Sequence, residues 1–230
     1  MIAIDQNIAD VRARIKQAAT LYSRESSTIS LLAVSKKQPV SAIQVAIAAG
    51  IKDFGENYLQ EAELKINELR EMSLNWHYIG AIQSNKTRSI ASLFDWVHSV
   101  DRVSIAQRLS NQRPECLAPL NICLQINIDK EASKSGLLPE DVLAAVEQIN
   151  GMPNLCLRGF MAIPAKSDDI QSTRASFARM YALFEQAQQL SDISNFDTLS
   201  MGMSADIEPA IAEGATLLRV GTDIFGARSS

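Results

Sequence analysis

Eight short apolar runs, each divided from the next by a longer stretch of helical periodicity, constrain this chain more than any other feature of its sequence. The runs occupy 31–34, 51–54, 76–79, 96–100, 122–128, 157–163, 198–203 and 217–220. Their length and their β-branched and aromatic content read as strands. Helical patterns fill the gaps at 40–49, 59–72, 86–94, 103–111, 140–149, 173–190 and 207–212, and Gly50 ends the first of them. Strict alternation implies parallel strands joined by right-handed crossovers. Eight such units match a (β/α)8 TIM-type barrel, whereas an open doubly wound sheet usually stops at five or six strands. An extra amphipathic helix over about 4–21 precedes the first strand, with Ile4, Ile8, Val11 and Ile15 on one face. The polar clusters at 23–28, 166–171 and 191–197 are short enough to be barrel loops. One domain over 1–230 is therefore expected.

Several function classes fall away on composition. The net charge of −4 comes from interspersed acids and bases, with no basic block to follow a phosphate backbone, so no nucleic-acid partner is expected. Cys116, Cys123 and Cys156 lack CxxC spacing, and only His77 and His98 are present to help them bind a metal. No metal site or disulfide is expected. Acidic Asp5 and Asp10 near the start are unlike a cationic leader. No apolar stretch reaches the roughly 20 residues of a membrane span. The reading is a cytoplasmic protein without a membrane partner, working as a monomer.

In a barrel of this type, chemistry sits where strands end. Lys36 directly follows strand one, where an ammonium is costly to desolvate. A neutral lysine amine attacks aldehydes and can form a Schiff base, and Lys37 or Arg219 nearby would favour the neutral form. The plain alternative is a pair of solvated lysines. After strand eight, Gly221 and Thr222 open a segment where backbone amides and a hydroxyl can meet a phosphate, and Ser200, Gly202 and Ser204 after strand seven offer matching donors. Ordinary turn chemistry would also account for them. Arg219 alternates with Leu218 and Val220, which points it into the barrel. Its partner there is either a carboxylate or the pyridine nitrogen of pyridoxal 5′-phosphate (PLP).

Taken together, these residues carry a resemblance that spans nearly the whole chain. Ala33-Val34-Ser35-Lys36, Phe54-Gly55-Glu56-Asn57-Tyr58, Trp76-His77-Tyr78-Ile79-Gly80 with Gln83, Asn85 and Lys86, and Ser133-Lys134-Ser135-Gly136 belong to it. So do Arg158 to Pro164, Leu199 to Ser204, and the end from Arg219 to Arg228. The chain resembles the PLP homeostasis proteins, the YggS and PROSC family, and is similar to the barrel domain of alanine racemase. It departs at Phe160, where Leu is expected, and at Ser229-Ser230, where the family carries an aromatic. The resemblance implies that Lys36 is the Schiff-base lysine, that Ser200, Gly221 and Thr222 hold phosphate, that Arg219 faces the pyridine nitrogen, and that Asn57 lies beside the cofactor.

His77, inside strand three, reads as a packed or hydrogen-bonded interior residue, with direct cofactor contact as the alternative. His98 reads as structural. Met201 and Met203 alternate as barrel packing, with Met201 retained among the candidate cofactor contacts beside Ser200. Lys130 and Lys134 read as solvated loop charges, though Lys134 lies in a family motif and is a candidate for a second phosphate. Two functions fit: a non-catalytic carrier, buffer or regulator of PLP that serves client enzymes, and a PLP-dependent amino-acid racemase. The racemase reading is weaker, because related racemases close their sites with a second domain and partner subunit. A cofactor-free aldolase using Lys36 leaves Arg219 unexplained.

Overall fold

The computed structural model describes residues 3–190, 193 and 195–226. Part of the expected 191–197 loop and the chain end at 227–230, including Arg228 and Ser229-Ser230, lie outside the described residues. Eight parallel strands close a barrel in the order β1 to β8: β1 (Ser30–Val34), β2 (Asp53–Glu56), β3 (Asn75–Tyr78), β4 (Trp96–Val100), β5 (Leu120–Ile126), β6 (Leu155–Ala162), β7 (Thr198–Ser200) and β8 (Leu217–Val220). The helices between them are α2 (Val40–Ala48), α3 (Leu59–Glu68), α4 (Thr87–Leu93), α5 (Val103–Gln112), α6 (Val142–Ile149), α7 (Ile170–Leu190) and α8 (Ile207–Ala212). A four-residue α9 (Thr222–Phe225) follows β8.

The expected barrel is present, with boundaries displaced where short-range pattern competes with register. β7 is three residues long rather than six, because Gly202 turns the chain away at φ 95°, where an added Cβ would sit 2.6 Å from Ala210. β5 and β6 each begin two residues before their expected starts, since the ladder continues through Leu120 paired with Leu155 and Asn121 paired with Cys156.

α1 (Ile4–Leu21) is the extra helix, and it buries Ile4, Ile8, Val11, Ile15, Ala18 and Ala19 against α2, α8 and α9. Each isoleucine so buried contributes about 1.5–3 kcal/mol. Arg14, at the edge of that face, reaches Glu208, the Ser204 carbonyl at 2.9 Å and Asp223 at 2.8 Å. The helix therefore ties together the two loops that follow β7 and β8.

Between strands and helices the core is apolar, with Phe54, Phe160, Phe177 and Leu199 fully buried. The barrel interior is not. Register pairs Gly55 with His77, His77 with Trp96, and Leu32 with Arg219, and paired residues share a face. His77, His98, Ser200 and Arg219 thus stand inside the barrel, each 4% exposed or less.

Candidate cofactor site at the C-terminal mouth

Lys36 is presented by a turn that buried charges hold in place. The Ser35 hydroxyl donates to Glu56 Oε1 at 2.6 Å, and Lys65 Nζ donates to Glu56 Oε1 and the Ser35 carbonyl, both at 2.7 Å. Lys65 also reaches Glu61 at 2.6 Å, and Glu61 accepts the Lys37 amide, whose residue sits at φ 62°. Burial pushes the Glu56 carboxyl above its usual range, and Lys65 and Ser35 oppose that push. The sequence marked Ser35 and Lys36 but gave no role to Lys65, whose signal was a charged side chain on the buried face of an amphipathic helix.

Beyond that turn lies a cavity of about 290 Å³. Lys36, Asn57, Arg219, Gly221 and Thr222 line it, together with Ser204. Val34, Ile79, Met161, Ile163 and Met203 provide its apolar wall. A pocket of this size, apolar with a few convergent polar groups, suits one small ligand. Asn57 Oδ1 is itself inaccessible, with no hydrogen-bond partner among the described residues. The backbone of Asn57 is fixed by Gly80, where an added Cβ would lie 2.1 Å from the Asn57 carbonyl oxygen. Ser204 Oγ accepts the Asp223 amide at 3.3 Å, which holds its loop against the start of α9.

Arg219 spends three donors on the barrel wall: Nη1 on the Ser200 carbonyl at 2.6 Å and the Ser200 hydroxyl at 2.8 Å, and Nη2 on the Ala162 carbonyl at 3.0 Å. Burial lowers its pKa to about 10, with Asp206 and Cys123 working in the opposite sense. It stays a cation at neutral pH.

The remaining sequence candidates lie elsewhere. Ser200 is fully buried inside the barrel, and its hydroxyl is committed to Arg219 and to His98 Nδ1 at 2.9 Å. It does not line the cavity; Ser204, four residues on, takes that place. Met201 is fully buried, and its amide donates to the Leu217 carbonyl. His77 faces Asp53 and His98 at 3.2 and 2.9 Å and is absent from the cavity wall. Lys134 reaches the carbonyls of Ile163 and Pro164 at 3.2 and 2.8 Å and pairs with Glu131 at 2.5 Å. Among the described residues, no cluster of His, Cys, Asp or Glu could hold a metal, and no helix is long and apolar enough to cross a membrane.

A parallel barrel with a lysine at the end of β1 and an inward arginine on β8 defines a class, and comparison with known proteins agrees. A family model described as alanine racemase, N-terminal domain, matches residues 3–229, and the chain belongs to that family. Within it, the chain falls among the pyridoxal phosphate homeostasis proteins. The protein of that name from Pseudomonas aeruginosa is 56% identical over 229 residues, 99% of this chain and 97% of the relative. Its Escherichia coli K12 counterpart is 47% identical over 98% of this chain and 97% of its own. PipY of Synechococcus elongatus, solved with PLP bound, superimposes with a TM-score of 0.85 at 38% identity, covering 97% of this chain and all of PipY. Alanine racemase from Corynebacterium glutamicum shares the fold alone: TM-score 0.69, 17% identity, 98% of this chain against 61% of the racemase.

Proposed function

We propose that this chain binds PLP in the cavity at the C-terminal mouth, joined as a Schiff base to Lys36, and holds it for intracellular PLP homeostasis without efficient turnover. One observation carries the reading: an amine, a buried arginine, and the hydroxyls of Ser204 and Thr222 converge on a single cavity of about 290 Å³. Bound PLP supplies an aldehyde, a phosphate and an electron-accepting ring. Lys36 provides the amine for the aldehyde. Ser204, Thr222 and the backbone at Gly221 receive the phosphate, a role that passes from Ser200 because the Ser200 hydroxyl is already engaged. Asn57, on the cavity wall, lies beside the ring. Arg219, remaining charged, leaves the ring nitrogen unprotonated and so weakens the ring as an electron sink. Among the described residues on the cavity wall, Lys36 and Arg219 are the ionisable ones, so no second acid or base stands ready to move an α-proton.

We read the protein as a cytoplasmic monomer that passes PLP to client enzymes. The homeostasis proteins to which it is 45–56% identical support the carrier role. The deciding experiment is a visible absorption spectrum of the protein loaded with PLP, followed by borohydride reduction and peptide mapping. Reduced cofactor on Lys36 is expected. Its appearance on Lys37, Lys86 or Lys134 would remove Lys36 from this role.

A further inference from the structure

A continuous line of hydrogen bonds crosses the inside of the barrel from one mouth to the other. At the N-terminal mouth, Asp53 at the start of β2 lines a second cavity of about 430 Å³, and its side chain is 36% exposed. Asp53 Oδ1 lies 3.2 Å from His77 Nε2, His77 Nδ1 lies 2.9 Å from His98 Nε2, and His98 Nδ1 lies 2.9 Å from Ser200 Oγ. Ser200 Oγ in turn accepts from Arg219 at 2.8 Å, and Arg219 lines the cofactor cavity at the other mouth.

The direction of the links follows from the Asp53 end when both rings are neutral. An ionised carboxylate has acceptors only, so His77 gives its Nε2 proton to Asp53 and is left with Nδ1 as an acceptor. His98 then donates from Nε2 to His77 Nδ1, and its own Nδ1 accepts the Ser200 hydroxyl proton. The Ser200 oxygen still has a lone pair for the Arg219 guanidinium, which has donors only. A second proton on His77 would set two N–H groups against each other between the rings. The rings are further clamped by Trp96, which stacks on His77 at 5.3 Å.

We propose that His98 and His77 are positioning residues: a one-way string that orients Arg219 beneath the cofactor cavity and couples its geometry to Asp53 at the opposite mouth. The inference rests on Arg219 being the partner of the PLP ring nitrogen. Neither histidine touches the cavity, so any effect on PLP must travel through Ser200 and Arg219.

Two measurements separate the string from that functional reading. Long-range ¹⁵N–¹H correlation spectra of the chain without PLP, at neutral pH, should show both histidines as the neutral Nε2–H tautomer. A neutral Nδ1–H form or an imidazolium at either position overturns the string, whatever the protein binds. The coupling is tested by Asp53→Asn, which keeps an acceptor for His77, against Asp53→Leu, which removes it. PLP titrated by fluorescence quenching should bind Asp53→Asn nearly as well as the unmodified chain and Asp53→Leu about fivefold or more weakly, with a displaced visible band. Equal affinity and an unmoved band in a folded Asp53→Leu protein overturn the coupling. Should Asp53→Leu not fold, the tautomer spectra still decide the string. Failure of the unmodified chain to bind PLP would sink the functional reading while leaving the tautomers to be read.

Discussion

Lys65 Nζ lies 2.7 Å from Glu56 Oε1 with both side chains buried, and the same ammonium holds the carbonyl of Ser35, the residue before Lys36. The pair therefore shapes the turn that presents Lys36. Removing one member leaves the other charge buried and uncompensated, which typically costs about 3–5 kcal/mol. Lys65→Met is expected to destabilise the chain by that order in urea denaturation, and to slow the recovery of the PLP band more than a surface change such as Lys52→Met. Unchanged stability would mean that Glu56 simply takes up a proton, a route that its raised pKa opens.

The proposed phosphate anchoring separates Ser204, on the cavity wall, from Ser200, buried inside the barrel. Charge-assisted hydrogen bonds contribute about 1.5–3 kcal/mol each, so the double change Ser204→Ala with Thr222→Ala is expected to weaken PLP binding by at least tenfold. Pyridoxal, which lacks the phosphate, should respond little. Equal losses for the two ligands would take the phosphate away from these hydroxyls. Ser200→Ala acts differently, through Arg219 and His98, and is expected to affect PLP and pyridoxal alike.

The barrel and the amine were legible in the sequence because each depends on a short-range signal. Eight apolar runs at strand length dictate the topology, and a lysine at the end of the first run is conspicuous beside its apolar neighbours. Arg219 was legible for the same reason, as a lone charge alternating with Leu218 and Val220. What lies across the barrel was not. The contact of His77 with His98 needs the register of β3 on β4, and that of His98 with Ser200 joins residues 102 apart in the chain. Ser204 could be told from Ser200 only once the turn at Gly202 had been seen to end β7 early. Arg14, on a helix that looked merely amphipathic, binds the loops after β7 and β8 through contacts some 190 to 209 residues away.

Free amino acids should not be turned over efficiently by the loaded protein. Racemisation needs a base within reach on each face of the ring, and among the described cavity residues Lys36 alone can serve as one. Incubation with L-alanine or L-serine in deuterated water is expected to give α-deuteration far slower than about 1 s⁻¹, an ordinary enzymatic rate. Exchange at that rate or faster would restore the racemase reading.

Acid should destabilise the chain through its buried histidines. Burial holds His98 well below its ordinary pKa of 6.5, with His77 and Arg219 adding to the effect, and burial lowers His77 against the pull of Asp53. Between the folded and unfolded values the unfolded chain binds the extra proton, so stability rises with pH across that window. The contribution is complete above about pH 6.5 and is lost as pH falls below it, at a limiting slope of about 1.4 kcal/mol per pH unit for each histidine. Urea denaturation should therefore give lower stability at pH 5.5 than at pH 7.5, with His98 contributing to the loss. His98→Gln, which cannot titrate, is expected to lower stability at pH 7.5 and to flatten the difference between the two pH values. A difference that survives His98→Gln undiminished would place the acid sensitivity elsewhere, and identical stability of the unmodified chain at both pH values would mean that the folded barrel accepts the protons that its hydrogen-bonded string excludes.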